Sequence, residues 1–424
     1  MRAADPTYAA GLRADFDASP TPYHAVATVR RHLEGAGFAP YDSASGPVGR
    51  WFHADGGAIV AWVVGEHHDA SSPLRIVGAH TDSPNLRIKP QPDVSTLGID
   101  QLGVEVYGGV LTNSWLDRDL GLAGRVAVRD GDGVAVHLVR DDRPLLRVPQ
   151  LAIHLDREFS QQGLNLNRQR HLAPMWSLGS APAFHEYLAD QAGVAATDVL
   201  SWDVMAHDLS PATLAGLDEE FFVSARIDNQ LSCFVATRSL VETAGDLGPA
   251  IPVMALFDHE EVGSVSTTGA ASPFLRRQIE RIWSSLDADL ESTIASSAAS
   301  LVISADGAHA THPNYVDRHE PEHRIALNGG PVIKINANQR YATDAASAAA
   351  FELACRTAGV PVQRFVTRTD LACGSTIGPA TAGELGIPVV DAGMAQLAMH
   401  SARETAGSAD PDWFGAALGV ALRG

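Results

Sequence analysis

The feature that most limits how this chain can fold is a set of short, nearly pure apolar runs. They are Ala58–Val64, Leu74–Ala79, Ile251–Phe257, Leu301–Ala305, Val360–Val366 and Ile387–Val390. Each is too short for a core helix and is rich in Val or Ile or bounded by turn residues, so each predicts a buried strand. Helical patterns separate several of them. Asn229–Thr243 carries apolar residues at Leu231, Phe234, Val235 and Leu240, and the Ala-rich segment Ala345–Ala358 carries Phe351 and Leu353. Strands alternating with helices predict an α/β fold, a sheet flanked by helices.

The middle of the chain departs from that rhythm. Arg125–Arg140 is two alternating segments around an Asp-Gly-Asp-Gly turn, the pattern of a β-hairpin. Val104–Tyr107 and Val110–Trp115 read as further strand pieces. With 424 residues the chain exceeds one simple core. We therefore expect a β-rich module at residues 91–220, inserted into an α/β domain built from 1–90 and 221–424.

Charge removes several function classes. A net charge of −19 disfavours tracking a phosphate backbone or adhering to an anionic membrane, so neither nucleic acid nor membrane is an expected partner. No apolar run approaches the ~20 residues of a spanning helix, and the opening MRAADPTYAAGLRADF has no apolar signal core. Cys233, Cys355 and Cys373 are odd in number and form no CxxC pair. A reducing cytoplasm is the expected compartment, and any metal ligands must come mainly from His, Asp and Glu.

Those residue types fall where strands end. Leu74–Ala79 runs into His80-Thr-Asp82, Ile251–Phe257 into Asp258-His-Glu260-Glu261, Leu301–Ala305 into Asp306, and Ile387–Val390 into Asp391 and then Met399-His400. Asp228 stands just ahead of a helical pattern. In open α/β sheets, ligand sites lie outside the carboxyl ends of the strands. Two histidines and three carboxylates on one edge are the inventory of a two-metal hydrolytic site. Asp228 is placed to bridge two ions, His80 and Asp306 to complete one, and Glu261 and His400 to complete the other. Glu260, diverging from its neighbour, is the expected general base. Asp82 is expected to orient the His80 ring. The ligand set suits Zn²⁺, two per subunit, and also Mn²⁺ or Co²⁺.

Seven stretches in order resemble the M18 family of metallo-aminopeptidases, the aspartyl aminopeptidase family. They are His80-Thr-Asp-Ser-Pro84, Arg226-Ile-Asp-Asn-Gln230, Asp258-His-Glu-Glu-Val-Gly-Ser264, Ser304–Tyr315, Lys334–Thr343, Cys373–Pro379 and Met399–Glu404. The resemblance implies metal ligands at His80, Asp228, Glu261, Asp306 and His400, a base at Glu260 and a histidine-orienting acid at Asp82. It implies removal of N-terminal residues, preferentially Asp or Glu, from peptides with a free N-terminus. It implies a zinc-peptidase mixed sheet flanked by helices and interrupted by a β-rich dimerisation domain, with dimers assembled into a tetrahedral dodecamer. In that assembly a histidine matching His154, read here as strand-borne in Leu151–Leu155, reaches a neighbour's active site. A related di-zinc amidohydrolase, a deacylase or a broad-specificity aminopeptidase, is the alternative reading of the same metal set.

An acidic substrate meets an acidic chain, but screening limits the repulsion to about 8 Å. Selection must come from a local cation. Lys334, inside the apolar run Val332-Ile-Lys-Ile335, is the expected partner of a substrate carboxylate. The family motifs add His309 and Tyr341.

Overall fold

The computed structural model describes residues 2–156 and 163–424. Its principal sheet has nine strands. From one edge they are Ala39–Pro40, Gly49–Asp55, Ala58–Val64, Ile251–Phe257, Leu74–His80, Leu301–Ala305, Val389–Gly393, Val332–Ile335 and Gln363–Val366. The four strands from Ile251–Phe257 to Val389–Gly393 are mutually parallel, with antiparallel partners on both sides. The α/β expectation holds, as a mixed sheet.

Both faces of this sheet are covered, which is why its strands read as unbroken apolar runs. Side chains alternate between two cores. Val77, Leu256, Ile303 and Val390 pack with Val235, Leu240, Phe414 and Leu418 of the helices Ile227–Thr243 and Asp410–Arg423. Ile76, Val253 and Val302 face the other way, against Phe274, Ile279 and Ile377 of the helices Phe274–Ser285 and Ile377–Leu385.

A second sheet has six antiparallel strands, in the order Gly133–Leu146, Leu120–Asp130, Val199–Asp208, Asn85–Thr96, Ile99–Tyr107 and Met175–Ser177. Its core includes Leu86, Leu102, Trp115, Leu120 and Val204, closed by Phe184 and Leu188 of the helix Phe184–Ala192. The expected hairpin is present, with Asp130 opposite Gly133 and Gly131 at φ 59°. A third, five-stranded sheet was not anticipated. Its order is Thr213–Ala215, Phe221–Ser224, Glu404–Gly407, Ala395–Leu397 and Ala308–His309.

Local chemistry explains the departures from expectation. Val110–Trp115 is not a strand: Thr112–Trp115 is a 3₁₀ turn, and the Ser114 backbone N–H and hydroxyl both donate to the Leu111 carbonyl. The last two expected strands begin late, at Gln363 and Val389, because Pro361 and Pro388 supply no ladder N–H. His154 lies not on a strand but in an exposed turn, closed by the Leu155 N–H donating to the Ala152 carbonyl at 2.9 Å. No helix among the described residues is long and apolar enough to cross a membrane.

Asp141 fastens the second sheet to its helix. Its buried carboxylate accepts from the Arg143 guanidinium at 2.5 Å and from the Tyr187 hydroxyl at 2.9 Å. The Arg143 contact, aided by Tyr187, holds the acid down to about 2. Because its folded value lies below the unfolded one, this contribution is complete above about pH 5 and is lost as pH falls toward 2. Asp141→Asn should cost about 1–2 kcal/mol at pH 7. The gap in urea stability between the two proteins should narrow at pH 3; an equal gap at both pH values contradicts the assignment.

Candidate metal centre

The register of the parallel strands brings several of the expected ligand residues to one level. His80 pairs with Phe257, so Asp258 to Glu261 follow directly beside it. Ser304 pairs with Gly78, so Asp306, two residues on, reaches the height of His80. The third sheet delivers the rest. Ser224 pairs with Glu404, which brings the chain entering Asp228 alongside the chain leaving His400.

The side chains converge. His80 Nε2 lies 3.3 Å from Asp228 Oδ1, 3.7 Å from Asp306 Oδ1 and 4.0 Å from Glu260 Oε2. His400 Nε2 lies 3.4 Å from Asp228 Oδ2 and 3.3 Å from Glu261 Oε2. Thus one oxygen of Asp228 faces each histidine. Donor atoms bonded tetrahedrally to one zinc at ~2.0–2.1 Å would sit about 3.3 Å apart. Several of these separations match that value. They exceed a direct hydrogen bond, and Asp228 Oδ1 and Glu261 Oε1 are buried without a hydrogen-bond partner. Each of the groups His80–Asp228–Asp306, His80–Glu260–Glu261 and Asp228–Glu261–His400 presents ligand atoms within 4.8 Å of one another.

The electrostatics carry the same imprint. Asp82, Asp228, Glu260, Glu261 and Asp306 crowd one largely buried site. Burial, then Asp228, drives Glu261 well above its ordinary range, and burial lifts Glu260 to about 7. Burial would push His80 down, but Asp228, Asp306 and Asp82 hold it well above its usual value. Asp228 is held far down by His400 and His80 against the effect of burial. So much like charge in one place is built for cations, and the residues present fit zinc.

Each histidine is aimed by its other nitrogen. His80 Nδ1 lies 3.0 Å from the Asp82 carbonyl and 3.4 Å from its carboxylate. His400 Nδ1 lies 3.1 Å from the Gly109 carbonyl. A side chain at Gly109 would strike that ring, since its Cβ would fall 2.8 Å from Nδ1. With Nδ1–H donating, each Nε2 lone pair points at the carboxylates. Asp82 does more than orient His80. Its Oδ1 accepts from the Glu260 N–H and its Oδ2 from the Glu261 N–H, both at 3.1 Å, and the Tyr107 hydroxyl donates to Oδ2 at 2.6 Å.

The backbone bends sharply here. Arg226, His259 and His400 adopt left-handed conformations, with φ between 60° and 69°. For residues other than glycine this costs on the order of 1–3 kcal/mol each, and such strain gathers at functional sites. A family model described as aminopeptidase I zinc metalloprotease (M18) matches residues 16–416. The chain belongs to the M18 family. The probable M18 family aminopeptidase 2 of Streptomyces coelicolor is 50% identical over 412 residues, covering 95% of this chain and 94% of that relative. The probable M18 family aminopeptidase 2 of Mycobacterium tuberculosis H37Rv is 49% identical over 418 residues, covering 96% of each. Among solved structures, a chain of the Ape4 and Nbr1 complex superposes with a TM-score of 0.93 at 36% identity, covering 98% of this chain and 85% of that one. A chain of the S. cerevisiae mApe1 dodecamer gives 0.85 at 26% identity, covering 98% and 96%. The protein is therefore a metal-dependent aminopeptidase with the M18 fold.

The remaining expected residues are not equivalent. Lys334 is buried, and its ammonium donates to Asp306 Oδ2 at 3.2 Å and to the Gly307 carbonyl at 3.0 Å. It also lies 5.0 Å from the centre of the Tyr341 ring. His309 and Tyr341 both pack near Phe365, so these residues form one wall beside Asp306. His154 takes part in none of the cluster's contacts within one chain. Tyr107 and Glu404 were not singled out from sequence. Glu404 closes a quoted motif and Tyr107 ends a recognised strand piece, but nothing in their spacing names a partner.

Proposed function

We propose that the chain is a co-catalytic two-zinc aminopeptidase that releases N-terminal residues, preferentially Asp or Glu, from peptides with a free N-terminus. The observation that carries this reading is Asp228, with one oxygen toward His80 and the other toward His400. His80 and Asp306 would hold one ion, Glu261 and His400 the other, with Asp228 shared; Mn²⁺ or Co²⁺ suits the same ligands. Bound there, the metal supplies Lewis acidity and brings the pKa of water toward neutrality.

The chain's own residues do the remaining work. Glu260 is the most exposed of the cluster's carboxylates, at 17% of its side chain, against 10% for Asp306 and 4–5% for Asp228 and Glu261. It therefore faces the cleft and acts as general base. It takes a proton from the attacking water as the C–O bond forms, and gives it to the amine nitrogen as the C–N bond breaks. Asp82 holds Glu260 and Glu261 by their amides, which fixes how far apart the base and a ligand stand. Lys334 already serves Asp306 and Gly307, so a substrate carboxylate would take its third N–H, beside Tyr341 and His309. A requirement for a free amine would separate this reading from a deacylase, which turnover of N-acylated substrates would favour.

The dodecamer of S. cerevisiae mApe1 supports a homo-oligomer here too; in this reading residues 91–220 are the dimerisation domain and the assembly is a tetrahedral dodecamer. His154, exposed in its turn, would then enter a neighbour's cleft. The three free thiols are consistent with a cytoplasmic location.

Glu260→Gln should leave metal content unchanged while kcat falls by about 10²–10⁴; near-normal turnover with metal bound rejects the base. Lys334→Met should weaken turnover of all substrates through Asp306, but acidic N-terminal residues should lose about tenfold more than neutral ones. Proportional losses on both classes leave Lys334 no selective role. Reassembling inactive His154→Ala chains with inactive Glu260→Gln chains should restore part of the activity, because a His154 from one chain can serve an intact Glu260 in another. Verified mixed oligomers without recovery count against a role between subunits.

A further inference from the structure

Glu404 is almost completely enclosed, at 1% exposure, and both of its carboxylate oxygens are in use. Oε2 accepts from the Asp228 N–H at 2.9 Å, and Oε1 accepts from the His400 N–H at 2.6 Å. Neither N–H belongs to a regular ladder. Asp228 has extended angles, φ −81° and ψ 105°, at the irregular start of its helix, and His400 is left-handed. Left unpaired inside the protein, each N–H would be a buried orphan donor.

The backbone of Glu404 is itself held. It opens the strand Glu404–Gly407, paired with Phe221–Ser224. A fixed strand thus extends one carboxylate that grips two segments far apart in sequence. Those segments carry the side chains that face each other at 3.4 Å, His400 Nε2 and Asp228 Oδ2. Arg226, half-buried, lines a small pocket together with Glu404 and supplies nearby positive charge.

We propose that Glu404 is a positioning residue that sets the spacing between Asp228 and His400 and thereby the metal affinity of that half of the centre. This rests on the ligand assignment given above. The geometry needs two acceptors on one side chain. An amide at this position offers one acceptor oxygen and turns an NH₂ toward the other backbone N–H, so one ligand is released. An Asp keeps the charge but is one methylene too short to reach both.

The test is zinc affinity, measured by competition with a chromophoric chelator on the intact protein. Glu404→Gln, with native far-UV circular dichroism, should bind at least one zinc about 10–100-fold more weakly, the range typical for residues that orient metal ligands. Saturating zinc should restore much of kcat with little change in KM. Glu404→Asp should show the same defect and takes its place if the Gln variant does not fold. His400→Ala is the control for the ligand assignment. Affinities within twofold of native in the folded Glu404 variant, while His400→Ala loses a zinc, overturn the positioning role alone. Native affinities in both overturn the ligand assignment and the positioning role with it.

Discussion

The whole molecule is organised around an electrostatic problem: five carboxylates packed between two imidazoles at the edge of an apolar sheet. Burial, with their mutual repulsion, pushes Glu260 and Glu261 up, and the neighbouring acids favour a proton on His80 against the effect of burial. Cations relieve this, and the surrounding protein is shaped to keep the acids in place until cations arrive. Backbone N–H groups satisfy Asp82, a buried ammonium satisfies Asp306, and the backbone carbonyls of Asp82 and Gly109 hold the two histidine rings.

Rigid elements make this possible. His80 and Asp306 ride on adjacent parallel strands covered on both faces, so their heights follow from hydrogen-bond register. Asp228 and His400 do not sit on the principal sheet. A small third sheet brings their chains together, and sharp left-handed turns at Arg226 and His400 complete the approach. The second sheet contributes at a distance from its own core. Tyr107 at the end of one of its strands and Gly109 just beyond reach the centre, so the second sheet takes part in building the candidate metal centre.

Much of this was legible in the amino-acid order. The strands Ala58–Val64, Ile251–Phe257 and Leu301–Ala305 were read with their observed ends, because burial on both faces leaves an uninterrupted apolar signature. The hairpin was readable from its turn glycines. Val110–Trp115 was misread because Ser114 bonds its own neighbours, and apolar content alone does not reveal that competition. The turn at His154 was hidden for a similar reason: its apolar neighbours Leu151, Ile153 and Leu155 are exposed rather than packed.

The amino-acid order by itself determined which residues could serve chemistry only in combination: a lone acid or histidine after a strand is usually a surface or capping residue, but several at the carboxyl ends of strands in one sheet share an edge. It also determined the two-faced sheet, since periodicity encodes burial. Only the tertiary structure decided who holds whom. Lys334 grips Asp306, Glu404 spans Asp228 and His400, and Tyr107 steadies Asp82. Such pairings depend on side-chain direction between segments tens to hundreds of residues apart. A polar group in the interior takes whichever partner the packed backbone delivers, and no local pattern records that choice.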